Sequence, residues 1–214
     1  MTTKTSPTPP SYPVTLTIDY PDRSLNRLTT FFRIFTVIPI AIILALVSGG
    51  SFDWSTANNW TWLYAAGGML FLPIVLMILF RQKYPKWWFD WNIALTKFGI
   101  RVATYIGLLT DVYPSTDEEQ AVHIDIPYPD VPKDLNRWLP LVKWFLAIPH
   151  YIILAFLGIA ACVCVVIAWF AILFTGRYPR GLFDFVVGVY RWSLRVAAYA
   201  FLLTTDRYPL FSLT

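Results

Sequence analysis

The chain alternates between long apolar stretches and shorter segments that hold its charged residues. Apolar side chains dominate residues 31–47, 60–80 and 144–176. The third stretch contains no Lys, Arg, Asp or Glu. About 20 apolar residues suffice for a helix that crosses a bilayer, and a helix in lipid satisfies its own backbone hydrogen bonds. The pattern therefore predicts an all-α integral membrane protein.

Four short transmembrane spans follow from these stretches, at about 31–47, 60–80, 138–157 and 159–175. The apolar stretch that ends at Gly176 is too long for one comfortable span and too short for two full ones. We therefore expect it to form a tight helical hairpin that turns near Gly158. The first two spans are expected to form the matching hairpin.

Each hairpin is followed by an amphipathic segment, at 87–110 and 181–204. Helical spacing places the charged residues of each segment on one face. We identify this face as a candidate polar stripe for lipid headgroups, formed by Asp90, Lys97 and Arg101 in the first segment and by Asp184, Arg191 and Arg195 in the second. These helices could span the membrane or lie in its interface. A basic polar face opposite Trp, Phe and Leu favours the interfacial interpretation.

The same order of motifs occurs twice along the chain, which indicates a tandem duplication. Residues 14–114 form the first predicted repeat and 122–214 the second, with a linker at 115–121 and a disordered tail at 1–13. Each repeat begins with alternating apolar and polar residues, typical of a short strand, and we expect the two strands to pair. The matching motifs are Tyr20-Pro21-Asp22 with Tyr128-Pro129-Asp130, Leu25-Asn26-Arg27 with Leu135-Asn136-Arg137, Phe89-Asp90 with Phe183-Asp184, Arg101-Val102-Ala103 with Arg195-Val196-Ala197, and Asp111-Val112-Tyr113 with Asp206-Arg207-Tyr208.

The distribution of basic residues predicts the orientation in the membrane. None of the 17 Lys and Arg residues falls within 34–80 or 144–176. Cytoplasmic segments of membrane proteins are enriched in Lys and Arg, so both termini and the linker are predicted to be cytoplasmic. The net charge of +4 is then explained by the membrane topology and by attraction to anionic lipid headgroups. Nucleic acid is not the expected partner, since no nucleic-acid motif accompanies the charge.

Single charged and polar residues near the apolar stretches have mostly structural interpretations. Arg33 and Lys143 occupy matching positions near helix ends and are expected to extend to the headgroups. Turns that close each repeat are the role expected for Asp111, Tyr113, Asp206 and Tyr208.

The sequence contains no combination of residues that predicts catalysis, a cofactor or a metal. Cys162 and Cys164 are two residues apart, a spacing that does not bring side chains together on a helix. His150 has Ile40 at the matching position of the first repeat, and it lacks neighbouring carboxylates. We therefore predict no catalytic, cofactor-binding or metal-binding residues.

The duplicated motifs Tyr-Pro-Asp, Leu-Asn-Arg, Phe-Asp and Arg-Val-Ala, followed by Asp-x-Tyr-Pro, resemble the bacterial membrane family DUF4389, a domain of unknown function. The resemblance covers nearly all of the chain after the tail. It implies a prokaryotic plasma membrane and carries over no catalytic residue, because the family has no established activity. The layout of hairpin and amphipathic helix also resembles reticulon-type membrane-shaping proteins, as an analogy of layout only.

Two functions remain open from the sequence. The first is a non-catalytic accessory or scaffold protein whose amphipathic helices bind a membrane partner complex or lipid. Its partners would be the bilayer, anionic headgroups, and a membrane protein or a second copy of the chain. The alternative is a small transporter or channel with a polar site between the repeats, where transporters built from repeats place their sites.

Overall fold

A computed structural model describes residues 12–21, 24–48, 69–116, 118 and 120–214. The predicted tail therefore lies outside the described residues except for Tyr12 and Pro13, as does the start of the span predicted at 60–80. The described chain is mostly helical, with one small sheet. In chain order its elements are β1 (Thr15–Ile18), α1 (Arg27–Val47), α2 (Met69–Arg81), α3 (Lys86–Ile106), β2 (Val122–Asp125), α4 (Val131–Asp134), α5 (Pro140–Leu146), α6 (Ile148–Thr175) and α7 (Arg180–Ala200).

Two of these helices, α1 and α6, are long and apolar enough to cross a membrane. They contain 21 and 28 residues, and only 17% and 11% of their most apolar windows are buried inside the protein. The side chain of Asn26 begins α1 by accepting hydrogen bonds from the backbone N–H groups of Leu28 and Thr29. Gly176 ends α6 in the left-handed conformation, with φ 73°, which costs glycine no side-chain clash. The apolar surface of both helices is left mostly uncovered by the rest of the described chain.

The hairpin expected near Gly158 is wrong, because α6 runs without a break through this position. The separate spans predicted at 138–157 and 159–175 are therefore one helix, preceded by the short α5. A glycine inside a helix costs only about 1 kcal/mol. Opening the helix there would expose backbone groups that apolar neighbours cannot satisfy. The chain instead breaks at Ala147, where Pro149 starts α6 as one of its first residues.

The amphipathic helices agree with the predicted segments at their starts and end earlier. They begin at Lys86 and Arg180 and end at Ile106 and Ala200. Leu108 and Leu203 then adopt left-handed conformations, with φ 64° and 53°. At these two residues the chain turns away from the helix axis, so each helix ends before the predicted bounds at 110 and 204.

The two predicted strands do pair, as an antiparallel sheet of β1 and β2 with Leu16 opposite Ile124. Both of these side chains are buried in the main hydrophobic core. The strands cross between the two halves of the chain, residues 14–114 and 122–214, because β1 contacts α7 and β2 contacts α3. On its other side α7 lies against α6, and α3 lies against α1. The amphipathic helices thus form a middle layer between the apolar helices and the sheet.

Candidate functional site

The cation on α1 is buried by the turn that follows α3. Arg33 is 3% exposed and donates hydrogen bonds to the backbone oxygens of Tyr105 at 2.8 Å and Thr110 at 2.7 Å. It also forms a salt bridge with Asp111, and its guanidinium lies 4.3 Å from the centre of the Tyr105 ring. Both terminal nitrogens of Arg33 therefore have partners inside the protein.

The matching cation in the second half is bound in a similar way. Lys143 on α5 is fully buried and donates to the backbone oxygen of Thr205 at 2.7 Å. Its ammonium forms an ion pair with Asp206 at 2.6 Å. The expectation that Arg33 and Lys143 extend to lipid headgroups is therefore wrong. Their partners are instead carbonyl groups at or just beyond the end of each amphipathic helix, together with one carboxylate.

The two carboxylates tie the end of one helix to the start of another. Asp111 accepts a hydrogen bond from the backbone N–H of Asn26 at 2.7 Å, and Asp206 accepts one from Asn136 at 2.6 Å. Each carboxylate thus joins the turn after an amphipathic helix to the Leu-Asn-Arg motif of its own half. The sequence contained a signal for this, because opposite charges occupy matching positions in both halves.

The two tyrosines of the predicted closing turns have different surroundings. The Tyr113 ring is 46% exposed and lies edge-on to Tyr105, with ring centres 5.7 Å apart. The Tyr208 hydroxyl donates to the backbone oxygen of Leu146 at 3.1 Å. Tyr208 thereby connects the turn after α7 to the end of α5.

The acidic residues of the predicted polar stripe lie at the surface. Asp90 forms an exposed ion pair with Lys86 at 2.9 Å, one helical turn away. Asp184 is exposed and makes no hydrogen bond or ion pair within the described part of the chain. Neither carboxylate pairs with the basic residues of the stripe on its own helix within the described part of the chain.

The two arginines of the stripe on α7 are bound by the chain's own backbone. Arg191 donates from Nε to the oxygen of Leu16 at 3.0 Å and from Nη1 to the oxygen of Leu213 at 3.3 Å. Arg195 is 4% exposed and donates to the oxygen of Ser212. Burial lowers the pKa of Arg195, and the nearby charge of Arg191 lowers it further. Contact of these two residues with headgroups remains a prediction.

The basic residues of the stripe on α3 instead border an open polar cavity between α3 and the sheet. This cavity has a volume of about 720 Å³, and its lining includes Lys97 and Arg101. Arg101 is 7% exposed and donates from Nη1 to the oxygen of Ser115 at 3.0 Å. Lys97 is half-buried and makes no hydrogen bond or ion pair with any residue that the structure describes. The two basic residues of the stripe on α7 are therefore covered by other parts of the chain. The two on α3 border open space.

Potential metal ligands are scattered in the structure. Within the described residues no three His, Cys, Asp or Glu side chains come close enough to share a metal ion. His150 is fully buried, where its Nδ1 accepts a hydrogen bond from Trp192 Nε1 at 3.0 Å. Its ring stacks on Phe211, with ring centres 4.0 Å apart. These contacts give His150 a packing role at the junction of α6, α7 and the chain's last residues.

Residues 138–212 match a family model described as a domain of unknown function, DUF4389. The match supports the resemblance over this part of the chain, which lies within the predicted second repeat. The matched segment contains α5, α6 and α7, and with them the Lys143–Asp206 ion pair. No curated protein and no solved structure matches the chain.

Proposed function

We propose that the protein is a non-catalytic accessory or scaffold protein of a prokaryotic plasma membrane. The observation that carries this proposal is the exposed apolar surface of α1 and α6. On α6, large apolar side chains recur along one face from end to end, including Ile152, Ile159 and Phe174, which are 55%, 65% and 78% exposed. Lipid tails are the natural cover for a continuous apolar face of this length.

The packing of α6 favours a position along one leaflet over a perpendicular span. At one end Ala147 clusters with Tyr199 and Ala200, and at the other a short connection leads directly into α7. The two helices therefore lie side by side over their whole length. The middle of α7 in turn contacts β1 through Arg191.

A perpendicular α6 would carry the sheet to the middle of the bilayer. The exposed side of the sheet holds Thr17, His123 and Asp125, and both strands have free edges. Polar side chains and unpaired strand edges are unstable in hydrocarbon. With α6 parallel to the membrane, the apolar layer contacts lipid while the sheet remains in water. The basic residues that the structure describes then lie on one side, which the charge distribution assigns to the cytoplasm.

A partner surface is supported at the start of α3. Trp87 and Trp91 are 67% and 47% exposed, one turn apart, beside the exposed Lys86–Asp90 pair. Exposed tryptophan is enriched where proteins bind one another, and polar groups form the rim of such surfaces. The transporter alternative has less support, because the groove of about 510 Å³ between α1 and α6 is lined mainly by apolar residues. Its buried cation, Arg33, is already bound to Asp111.

Spin labels along α6 test its position in the membrane. In a Cys162→Ser/Cys164→Ser background, single cysteines would replace Ile152, Val163 and Phe174, which are all exposed on α6. A helix parallel to the membrane places all three labels at the same depth. In a perpendicular helix the first and last labels would be separated by about 33 Å, from a rise of about 1.5 Å per residue. That separation in depth would overturn the proposed arrangement.

Site-specific photo-crosslinking in intact membranes tests the scaffold role. A crosslinking residue in place of Trp87 or Trp91 should give discrete protein adducts. The same residue in place of Phe156, which is 70% exposed on α6, should give lipid adducts and serves as the matched control. Absence of any protein adduct at both tryptophan positions would contradict the scaffold proposal.

A further inference from the structure

The amphipathic helices carry corresponding residues in two different environments. Arg191 and Gly188 on α7 correspond to Lys97 and Ala94 on α3. In the second half the last residues of the chain cover α7 at this point. A Cβ atom added to Gly188 would lie 2.9 Å from both the Cβ and the backbone oxygen of Leu213. The same oxygen accepts the hydrogen bond from Arg191.

In the first half the corresponding place is open. The cavity of about 720 Å³ lies over Ala94 and Lys97, where Leu213 lies in the second half. Its volume falls in the range of small-molecule sites, roughly 300–1,000 Å³. The cavity therefore has the size of a binding site at a position that the other half fills with its own chain.

The groups around this cavity favour an anion. Lys97 supplies an ammonium group with no partner in the described chain, and the Nε atom of the nearly buried Arg101 also lacks a hydrogen-bond partner among the described residues. Thr15, Thr17 and Thr116 add hydroxyl groups, and Asp125 adds one carboxylate to the lining. His123 also borders the cavity and binds Asp19 at 3.2 Å. Among the described lining residues two permanent cations thus accompany one carboxylate, and hydroxyl, ammonium and guanidinium groups are the usual donors to phosphate.

A peptide that packed on α3 in the way that Leu213 packs on α7 would not fit this cavity. The approach of Leu213 to α7 requires glycine, since a Cβ at position 188 would come within 2.9 Å of it. Ala94 carries that Cβ on α3. A compact group is therefore favoured over an extended backbone in the first half.

We propose that the cavity between α3 and the sheet is an anion site that takes a phosphate group, held by Lys97 and Arg101. The phosphate would belong to a soluble phosphate ester or to a phospholipid headgroup, which share this chemistry. The site does not depend on the scaffold role, because it needs only the cavity and its two cations.

Calorimetric titration of the purified full chain tests the site with two kinds of probe. The soluble probes are inorganic phosphate and glycerol phosphate, titrated into protein held in neutral phosphatidylcholine nanodiscs. The lipid probe is phosphatidic acid in the same nanodiscs, read out by ³¹P NMR. Lys97→Ala should weaken binding by about tenfold or more, since a charge-assisted hydrogen bond is lost. The control is Lys86→Ala, which removes an equal charge from an exposed position on the same helix.

Some outcomes support the site and identify the source of the phosphate, whereas others contradict the proposal. Binding of the soluble probes that needs Lys97 identifies a soluble ester, and binding of phosphatidic acid alone that needs Lys97 identifies a headgroup. Equal losses in Lys97→Ala and Lys86→Ala would overturn the proposal, because binding would then reflect surface charge. So would the absence of binding by every phosphate probe, or capture of a synthetic peptide of residues 208–214 in their place.

Discussion

In the second half of the chain α7 is covered on both sides, whereas in the first half α3 is covered by α1 and borders an open cavity. The cover on α7 comes from α6, from β1 and from the last residues of the chain. The chain continues past the corresponding point of the first half and returns as β2. The same amphipathic pattern thus gives a groove closed by residues 212–213 on α7 and an open one on α3.

The buried cations of the two halves also differ in the number of backbone oxygens that they bind besides their carboxylate. Arg33 binds two backbone oxygens besides Asp111, whereas Lys143 binds one besides Asp206. We expect Asp206→Ala to lower the free energy of unfolding by about 3–5 kcal/mol, the usual cost of leaving a buried charge unpaired. Asp111→Ala should cost less, about 1–3 kcal/mol, because the remaining carbonyl groups still solvate Arg33. Denaturant unfolding in detergent, followed by tryptophan fluorescence, measures both values.

The control for this comparison is Asp90→Ala, which removes an exposed partner of Lys86. Exposed ion pairs contribute about 0–1 kcal/mol, so this variant should unfold almost as the parent does. An equal or larger loss for Asp111→Ala than for Asp206→Ala would contradict the role assigned to the extra carbonyl group of Arg33.

These ion pairs show what the sequence could and could not predict. Strands and amphipathic helices were predictable because their periodicities of about 2.0 and 3.6 residues are local. The partners of Arg33 and Lys143 are brought close only by the fold, so the rule for cations near helix ends gave the wrong location. The continuous α6 was missed because a glycine in an apolar run was given more weight than the cost of opening the helix. The cavity depends on the different paths that the chain takes after α3 and after α7, which no local pattern contains.

The closed groove of the second half can be disturbed at its glycine. Gly188→Ala places a methyl group 2.9 Å from Leu213. We expect a loss of about 1–3 kcal/mol in unfolding free energy, the usual cost of overpacking. Part of the strain should be relieved by release of residues 212–214 from α7. Amide hydrogen exchange of these residues should therefore be faster in this variant than in the parent.

Gly181→Ala is the matched control, because no atom lies within 4 Å of an added Cβ at that position. It should leave both stability and hydrogen exchange close to those of the parent. Equal exchange of residues 212–214 in the Gly188→Ala variant and the parent would mean that their placement does not depend on close contact with α7.

A tyrosine that links the two amphipathic helices should make stability depend on pH. The Tyr190 hydroxyl on α7 donates to the backbone oxygen of Ala103 on α3 at 3.0 Å. Burial raises the pKa of Tyr190 from 10.0 to about 12. The unfolded chain loses this proton first, so the stabilisation is complete below pH 10.0 and is lost as the pH rises toward 12. At about pH 11 the expected loss is about 1 kcal/mol.

Denaturant midpoints between pH 9 and 12 measure this effect, with Tyr190→Phe as the comparison. The phenylalanine variant has no proton to lose at this position, so its midpoint should fall less steeply over this range. Since burial also raises the pKa values of Tyr84 and Tyr178, part of the alkaline loss should remain in the variant. Identical slopes for the variant and the parent would show that Tyr190 ionises as readily in the folded chain as in the unfolded one.

The smallest effects are expected where the two halves bind each other reciprocally. The Tyr20 hydroxyl donates to the backbone oxygen of Tyr178 at 2.6 Å, and the Tyr128 hydroxyl donates to that of Tyr84. Each ring also lies edge-on to a phenylalanine of the opposite half, with ring centres 5.0 Å apart. Tyr20→Phe and Tyr128→Phe should each cost about 0.5–1 kcal/mol, the usual net value of one hydrogen bond.

These two losses should be similar and should add in the double variant, since the two hydrogen bonds share no partner. Tyr113→Phe is the control, because this ring is 46% exposed and its hydroxyl donates no hydrogen bond within the described chain. A loss in only one of the single variants would show that just one half depends on this contact. The correspondence between the halves would then stop at the buried cations and would not extend to the surface where the halves meet.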